Sequence, residues 1–123
     1  MRVLVVDDEP DVTLVLSEAL RDRGHDVEVA SCGHDAISAA EAFQPEAALV
    51  DVGLPDIDGV TLADLLRGAV LHRRLRVIAF TGYGEPRLRG AVQEDVFDAY
   101  LLKPASLDQI EQALGPNAPA ART

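Results

Sequence analysis

The stretch VLVVDDEP, from Val3 to Pro10, constrains the fold more than any other part of this chain. Its apolar residues suit a strand buried on both faces, yet they run directly into three acids and a proline. A buried strand aimed at like charges requires an architecture in which its carboxyl end meets compensating groups from elsewhere.

Four further runs rich in Val, Ile, Leu and Ala follow: Asp26 to Ala30, Ala47 to Val50, Arg76 to Phe80 and Ala99 to Leu102. With Arg2 to Val6 they alternate with longer amphipathic stretches, the pattern of a parallel sheet covered by helices on both faces. The first helix is predicted from Asp11 to Arg23, with Val12, Leu16, Ala19 and Leu20 on one stripe and Gly24 as a left-handed cap. GHDAISAAEAF predicts a second helix that stops before Pro45, and a third begins after Gly59 with Val60, Ala63, Leu66 and Val70. A fourth opens at EPRLR, where Pro86 suits the first turn, and a fifth starts near Ser106 as N-cap, with Ile110 and Leu114 turned inward. Gly90 weakens the fourth by up to about 1 kcal/mol relative to Ala, so that helix is expected to be short or mobile. After Leu114 the text GPNAPAART has no apolar periodicity. One domain over residues 1–115 is expected, with 116–123 a flexible tail or linker stub.

Aromatics are only 4% of the 123 residues, so Val, Leu, Ile and Ala must build the core. The formal net charge of −10 repels phosphate backbones and anionic membranes, which argues against direct nucleic-acid binding. Cys32 is the only cysteine; it excludes an internal disulfide and a multi-cysteine zinc site, fits a reducing cytosol, and reads as a small core residue. The apolar run after Met1 and Arg2 is too short for a signal peptide, and no segment is long enough to span a bilayer. A cytoplasmic location is expected. His25, His34 and His72 share no ligand spacing and read as surface residues.

In an open parallel α/β sheet the strand carboxyl ends share one edge, and ligands bind outside it where strand order reverses. Asp7 and Asp8 close the first strand, Asp51 the third, Thr81 the fourth and Lys103 the fifth, so all five are expected at one site. Carboxylates held together there repel by about 4 kcal/mol per pair at 4 Å and an effective dielectric near 20. A hard divalent cation offsets this best, and Mg²⁺ suits a site of few carboxylates that takes further ligands from water or a phosphate. Lys103 serves a phosphate as a mobile point charge, and Thr81 and the backbone N–H of Gly82 can donate to phosphoryl oxygens. A carboxylate flanked by Mg²⁺, Lys and Thr is suited to be a phosphoryl-accepting nucleophile.

The segments VVDDEP, LVDVGLPDIDG, AFTGYG and YLLKP, in this order, are where the chain resembles the receiver domain of two-component response regulators. The resemblance covers about Arg2 to Leu114. It implies a (βα)5 doubly wound, flavodoxin-like α/β fold with a five-stranded parallel sheet in the order 2-1-3-4-5. It implies that Asp51 accepts a phosphoryl group from a phosphohistidine on a sensor histidine kinase or histidine phosphotransfer protein. Asp8, Asp51 and the backbone carbonyl of Gly53 would ligate Mg²⁺ or Mn²⁺ directly, with Asp7 acting nearby through water. Lys103 would bind the phosphate, Thr81 would move toward it, and Tyr100 would turn inward in response. Pro104 is a candidate for a cis bond after Lys103. The output face for a downstream protein would comprise the fourth helix, fifth strand and fifth helix. Only slow self-catalysed phosphorylation and dephosphorylation are implied, not enzyme turnover.

One departure from the family pattern stands out. Val96 occupies the position before Phe97 where such receivers commonly carry glycine, and a β-branched residue at positive φ is strained, so either the loop takes another path or the fourth helix ends differently.

Two alternatives belong to other classes. An aspartyl-nucleophile phosphatase of the haloacid dehalogenase type needs Asp, any residue, Asp after its first strand, but Glu9 and Pro10 follow Asp7 and Asp8. A receiver fold used as an unphosphorylated docking module is opposed by the intact acids. DIDG is not a calcium loop, since Leu54 and Leu65 fall at its terminal ligand positions, and GYGEPR is not a dinucleotide fingerprint.

Overall fold

The computed structural model describes residues 1–71, 74–81 and 96–115, with Thr81 described by its backbone alone. Five strands form one parallel sheet: β1 (Arg2–Val6), β2 (Asp26–Ala30), β3 (Ala47–Asp51), β4 (Arg76–Thr81) and β5 (Ala99–Leu102). Their order is β2-β1-β3-β4-β5. The described helices are α1 (Pro10–Asp22), α2 (Gly33–Phe43), α3 (Gly59–Ala69) and α4 (Leu107–Leu114), the last being the helix expected after Ser106. His72, Gly82, the segment holding Pro86 and Gly90, and the tail over 116–123 lie outside the described residues.

Alternation along the strands divides the core between the two faces. Val3, Val5, Leu49, Ile78 and Phe80 pack with Leu16 and Leu20 of α1 and with Ile110 and Leu114 of α4. Leu4, Val6, Ala48, Val50, Val77 and Ala79 face Ala36 and Ala40 of α2 and Leu62 and Leu66 of α3. Both faces are covered, which is why the strands read as continuous apolar runs. Each fully buried Leu or Val contributes roughly 1.5–3 kcal/mol relative to exposure.

The helix ends follow local chemistry. Asp58 caps α3 by accepting from the N–H groups of Val60 and Thr61, and Ser106 forms a capping box with Gln109. Gly24 takes φ 94° just beyond α1. Gln44, at φ 52°, ends α2 in the left-handed region without a glycine. Its side-chain amide donates to the carbonyl of Ala69 at 2.8 Å, and its Oε1 accepts from Leu71 N–H at 2.9 Å.

Several expectations need correction. Helix α1 begins at Pro10, whose missing N–H suits the first helical turn, rather than at Asp11. Strands β3 and β4 each run one residue further than expected, because Asp51 still pairs with Phe80 and Thr81 with Leu102. Cys32 is not a core residue; it is the N-cap of α2, and its sulfur accepts from Asp35 N–H at 3.4 Å. His25 is buried rather than on the surface. The Met1 nitrogen, which has only N–H groups to offer, lies 3.2 Å from His25 Nδ1, so Nδ1 accepts and Nε2 carries the proton toward Glu111 at 3.0 Å. The chain leading into Val96, on which the expectation about its backbone rests, lies outside the described residues.

Candidate functional site

The strand order reverses between β1 and β3, and there the two carboxyl ends lie side by side in the crevice where open α/β sheets bind ligands. Asp7, one residue past β1, is only 1% exposed and is held by its own N–H donating to Ala30 at 3.1 Å. Its Oδ1 accepts from Glu9 N–H at 3.0 Å, which turns the chain into α1. Asp8 is exposed beside it. Asp51, the last residue of β3, is 8% exposed, and its Oδ1 accepts from Gly53 N–H at 2.9 Å.

Lys103 reaches in from the end of β5. Its Nζ lies 2.7 Å from Asp7 Oδ2, 3.5 Å from Asp51 Oδ2 and 3.8 Å from Glu9 Oε1. It also stands 5.4 Å from the centre of the Phe80 ring, within cation–π range. The Lys103–Pro104 peptide bond is cis. The site therefore gathers Asp7, Asp8, Asp51 and Lys103, and the backbone of Thr81 ends β4 between β3 and β5. Tyr100 lies on the edge strand β5 and is half exposed.

The electrostatics follow from crowding. Burial pushes the Asp51 carboxyl above its ordinary pKa and Asp7 adds to the rise, while Gly53 N–H and Lys103 pull the other way. For Lys103, burial works to lower the pKa, but the carboxylates of Asp7, Asp51 and Glu9 outweigh it and hold the ammonium above its ordinary value.

The donor set fits a hard dication. Asp7, Asp8 and Asp51 offer carboxylate oxygens that all lie within 4.8 Å of one another. Three carboxylates against one ammonium leave two negative charges. Among the described residues the buried Asp7 Oδ2 has the Lys103 ammonium, at 2.7 Å, as its one close polar neighbour. An oxygen in that state favours a strongly charged neighbour over a neutral one.

Glu9 and Phe80 join the site without being among its expected residues. The third acid of VVDDEP was a visible signal for Glu9; nothing in the sequence places the Phe80 ring beneath an ammonium.

Comparison with known proteins bears on this arrangement. The family model described as the response regulator receiver domain matches residues 3–115. The transcriptional regulatory protein TcrA of Mycobacterium tuberculosis is 34% identical over 110 residues, covering 89% of this chain and 43% of that protein. The chain thus spans less than half the length of such regulators. Sporulation initiation phosphotransferase F of Bacillus subtilis is 28% identical over 113 residues, covering 92% of this chain and 90% of that one. Among solved structures, a Burkholderia pseudomallei response regulator with a phosphorylated aspartic acid, calcium ion and citrate superposes with a TM-score of 0.82 at 30% identity. That match covers 94% of this chain and 67% of the other.

Proposed function

Because the chain belongs to the response regulator receiver domain family of two-component systems, we propose that Asp51 is its phosphoacceptor, taking a phosphoryl group from a phosphohistidine of a sensor kinase or histidine phosphotransfer protein. The observation that carries this reading is the position of Lys103, 3.5 Å from Asp51 and 2.7 Å from Asp7, at the shared ends of three strands.

An Asp51 carboxylate oxygen forms the new O–P bond as the P–N bond to the donor imidazole breaks. The departing nitrogen keeps the electron pair and takes a proton from water. Lys103 is placed to follow the phosphoryl oxygens as the charge moves onto Asp51, giving up part of its contact with Asp7. Asp8, Asp51 and the Gly53 backbone carbonyl would hold Mg²⁺ or Mn²⁺, with Asp7 behind them. When bound, the metal neutralises charge on the transferring group.

The same charge explains the switch. A phosphoryl group adds about −1.5 to −2 charge and three acceptor oxygens. Lys103, the Thr81 hydroxyl and the Gly82 N–H gain contacts only in that state, and the equilibrium between two arrangements shifts by the difference. Tyr100, half exposed on β5, would turn inward as Thr81 moves, altering the surface offered to a downstream protein. Among the described residues no helix is long and apolar enough to cross a membrane; a cytoplasmic setting is part of the same proposal.

Incubation with a small phosphodonor and Mg²⁺, followed by intact mass, tests the reading. One phosphoryl adduct is expected on the wild-type protein and none on Asp51→Asn. An adduct that persists in the variant overturns the assignment of Asp51, and multiple turnover of phosphomonoesters overturns the signalling reading.

A further inference from the structure

The loop from Val52 to Asp58 carries Gly53 next to Asp51, and its far side is fastened to a different element. Both carboxylate oxygens of Asp56 are engaged at the start of α2. Oδ1 accepts from Gly33 N–H at 3.0 Å, and Oδ2 accepts from His34 N–H at 3.1 Å and lies 2.7 Å from His34 Nδ1. These backbone groups are the first donors of α2, which no intrahelical carbonyl can satisfy. The helix's own cap, Cys32, reaches only Asp35 N–H, and a thiol is a weak acceptor. Asp56 does the remaining capping from across the molecule.

A second, apolar contact holds the same junction. A Cβ added to Gly33 would stand 2.8 Å from Ile57 Cδ1, so Ile57 lies directly on the glycine backbone. At the near end of the loop, Gly53 N–H donates to Asp51 Oδ1 at 2.9 Å. The loop thus has one end on the proposed phosphoacceptor and the other on α2.

We infer that Asp56 is a positioning residue: by anchoring the loop to the first turn of α2 it sets Gly53 against Asp51, and so sets the geometry of the metal and phosphoryl site. This rests on the phosphoacceptor reading of Asp51. Asp56 is suited to the task because hydrogen bonds from Gly33 and His34 pull its carboxyl pKa down to about 2, keeping the acceptor charged throughout the working pH range. His34 contributes one of the three contacts through its side chain, so its loss should weaken the anchor without removing it.

The test compares Asp56→Ala with the double variant Cys32→Ser/Asp56→Ala and with Gly33→Ala. Amide exchange of Gly53 and Mg²⁺ titration are followed by NMR on the unphosphorylated protein, with thermal melting alongside. In Asp56→Ala the Gly53 amide should exchange at least about tenfold faster, and Mg²⁺ affinity should fall by about tenfold, as when an outer partner of a metal ligand is lost. Serine at position 32 supplies a better cap and should recover melting temperature but neither Gly53 protection nor Mg²⁺ affinity. Gly33→Ala, which keeps the carboxylate but displaces Ile57, should shift the same two readouts and so serves if Asp56→Ala does not fold. Wild-type Gly53 exchange and Mg²⁺ affinity in Asp56→Ala overturn the inference; so does their recovery in the double variant, since Asp56 would then act only through helix stability. If the wild-type protein takes no phosphoryl group while Asp56→Ala still loosens Gly53, the phosphoacceptor reading fails and the anchor stands.

Discussion

The ammonium of Lys103 lies 2.7 Å from the buried Asp7 carboxylate, closer than to Asp51 at 3.5 Å. In the resting protein the lysine therefore offsets the charge of Asp7 first and that of Asp51 second. Replacing it with methionine, Lys103→Met, keeps the stem and leaves Asp7 uncompensated. In metal-free buffer the unfolding free energy should fall by about 3 kcal/mol, the lower end for a broken buried pair because Lys103 retains some solvent contact. Mg²⁺ should then raise the melting temperature more in the variant than in wild type, since the dication meets a more negative site. A smaller Mg²⁺ response in Lys103→Met would show that lysine and metal do not share the field of Asp7.

Asp51 gives a pH dependence whose sign is fixed by its raised pKa. Relative to the unfolded chain, with its ordinary value of 3.8, folded Asp51 holds its proton more tightly. Its contribution to stability is thus most favourable at acid pH and is lost as pH rises through the folded-state pKa. Above the folded-state pKa the metal-free protein carries the charged, desolvated form. Asp51→Asn should therefore melt higher than wild type above that pKa. Melting curves from pH 3 to pH 8 should show that advantage shrinking as pH falls toward 3.8. An advantage that grows toward acid would contradict the burial argument.

His25 links the chain start to α4, through the Met1 nitrogen at 3.2 Å and Glu111 at 3.0 Å, and it is 5% exposed. His25→Ala opens a cavity and leaves Glu111 without that donor. Urea denaturation should report a loss of about 2–3 kcal/mol. In a double-mutant cycle, His25→Ala with Glu111→Gln should lose less than the sum of the two singles. Strict additivity would mean that the pair contributes nothing as a pair.

The fold was legible because each strand is buried on both faces and so reads as an uninterrupted apolar run, and the site because its acids and lysine end those runs. What escaped were long-range polar partnerships. Burial of His25 depends on Glu111, which no local pattern connects to it. Asp98 lies one residue before β5. It accepts from Arg67 and Arg74 at 2.9 Å each and from Val77 N–H at 2.8 Å, while Arg67 also donates to the Val96 carbonyl. That network holds the residues just before β5, and its donors come from α3, from the stretch before β4 and from β4 itself. Cys32 read as core because thiols usually are; its place one residue before α2 makes it a cap instead.

Two glycines of α3 should respond oppositely to alanine. A Cβ at Gly59 would stand 3.0 Å from Val52 Cβ and 3.1 Å from Val52 Cα, and backbone cannot yield as a side-chain tip can. Val52 directly follows Asp51, so the strain is delivered to the site. Gly59→Ala should cost about 1–3 kcal/mol as an overpacked contact and should weaken Mg²⁺ binding. At Gly68 an added Cβ meets nothing within 4 Å. Gly68→Ala should therefore stabilise by about 0.5–1 kcal/mol through the reduced freedom of the unfolded chain and better helix propensity, with Mg²⁺ affinity unchanged. Chemical denaturation and Mg²⁺ titration on both variants check the contrast. A Gly59→Ala protein as stable as wild type would mean that Val52 can move aside, and that the loop after Asp51 is less tightly braced against α3 than these distances imply.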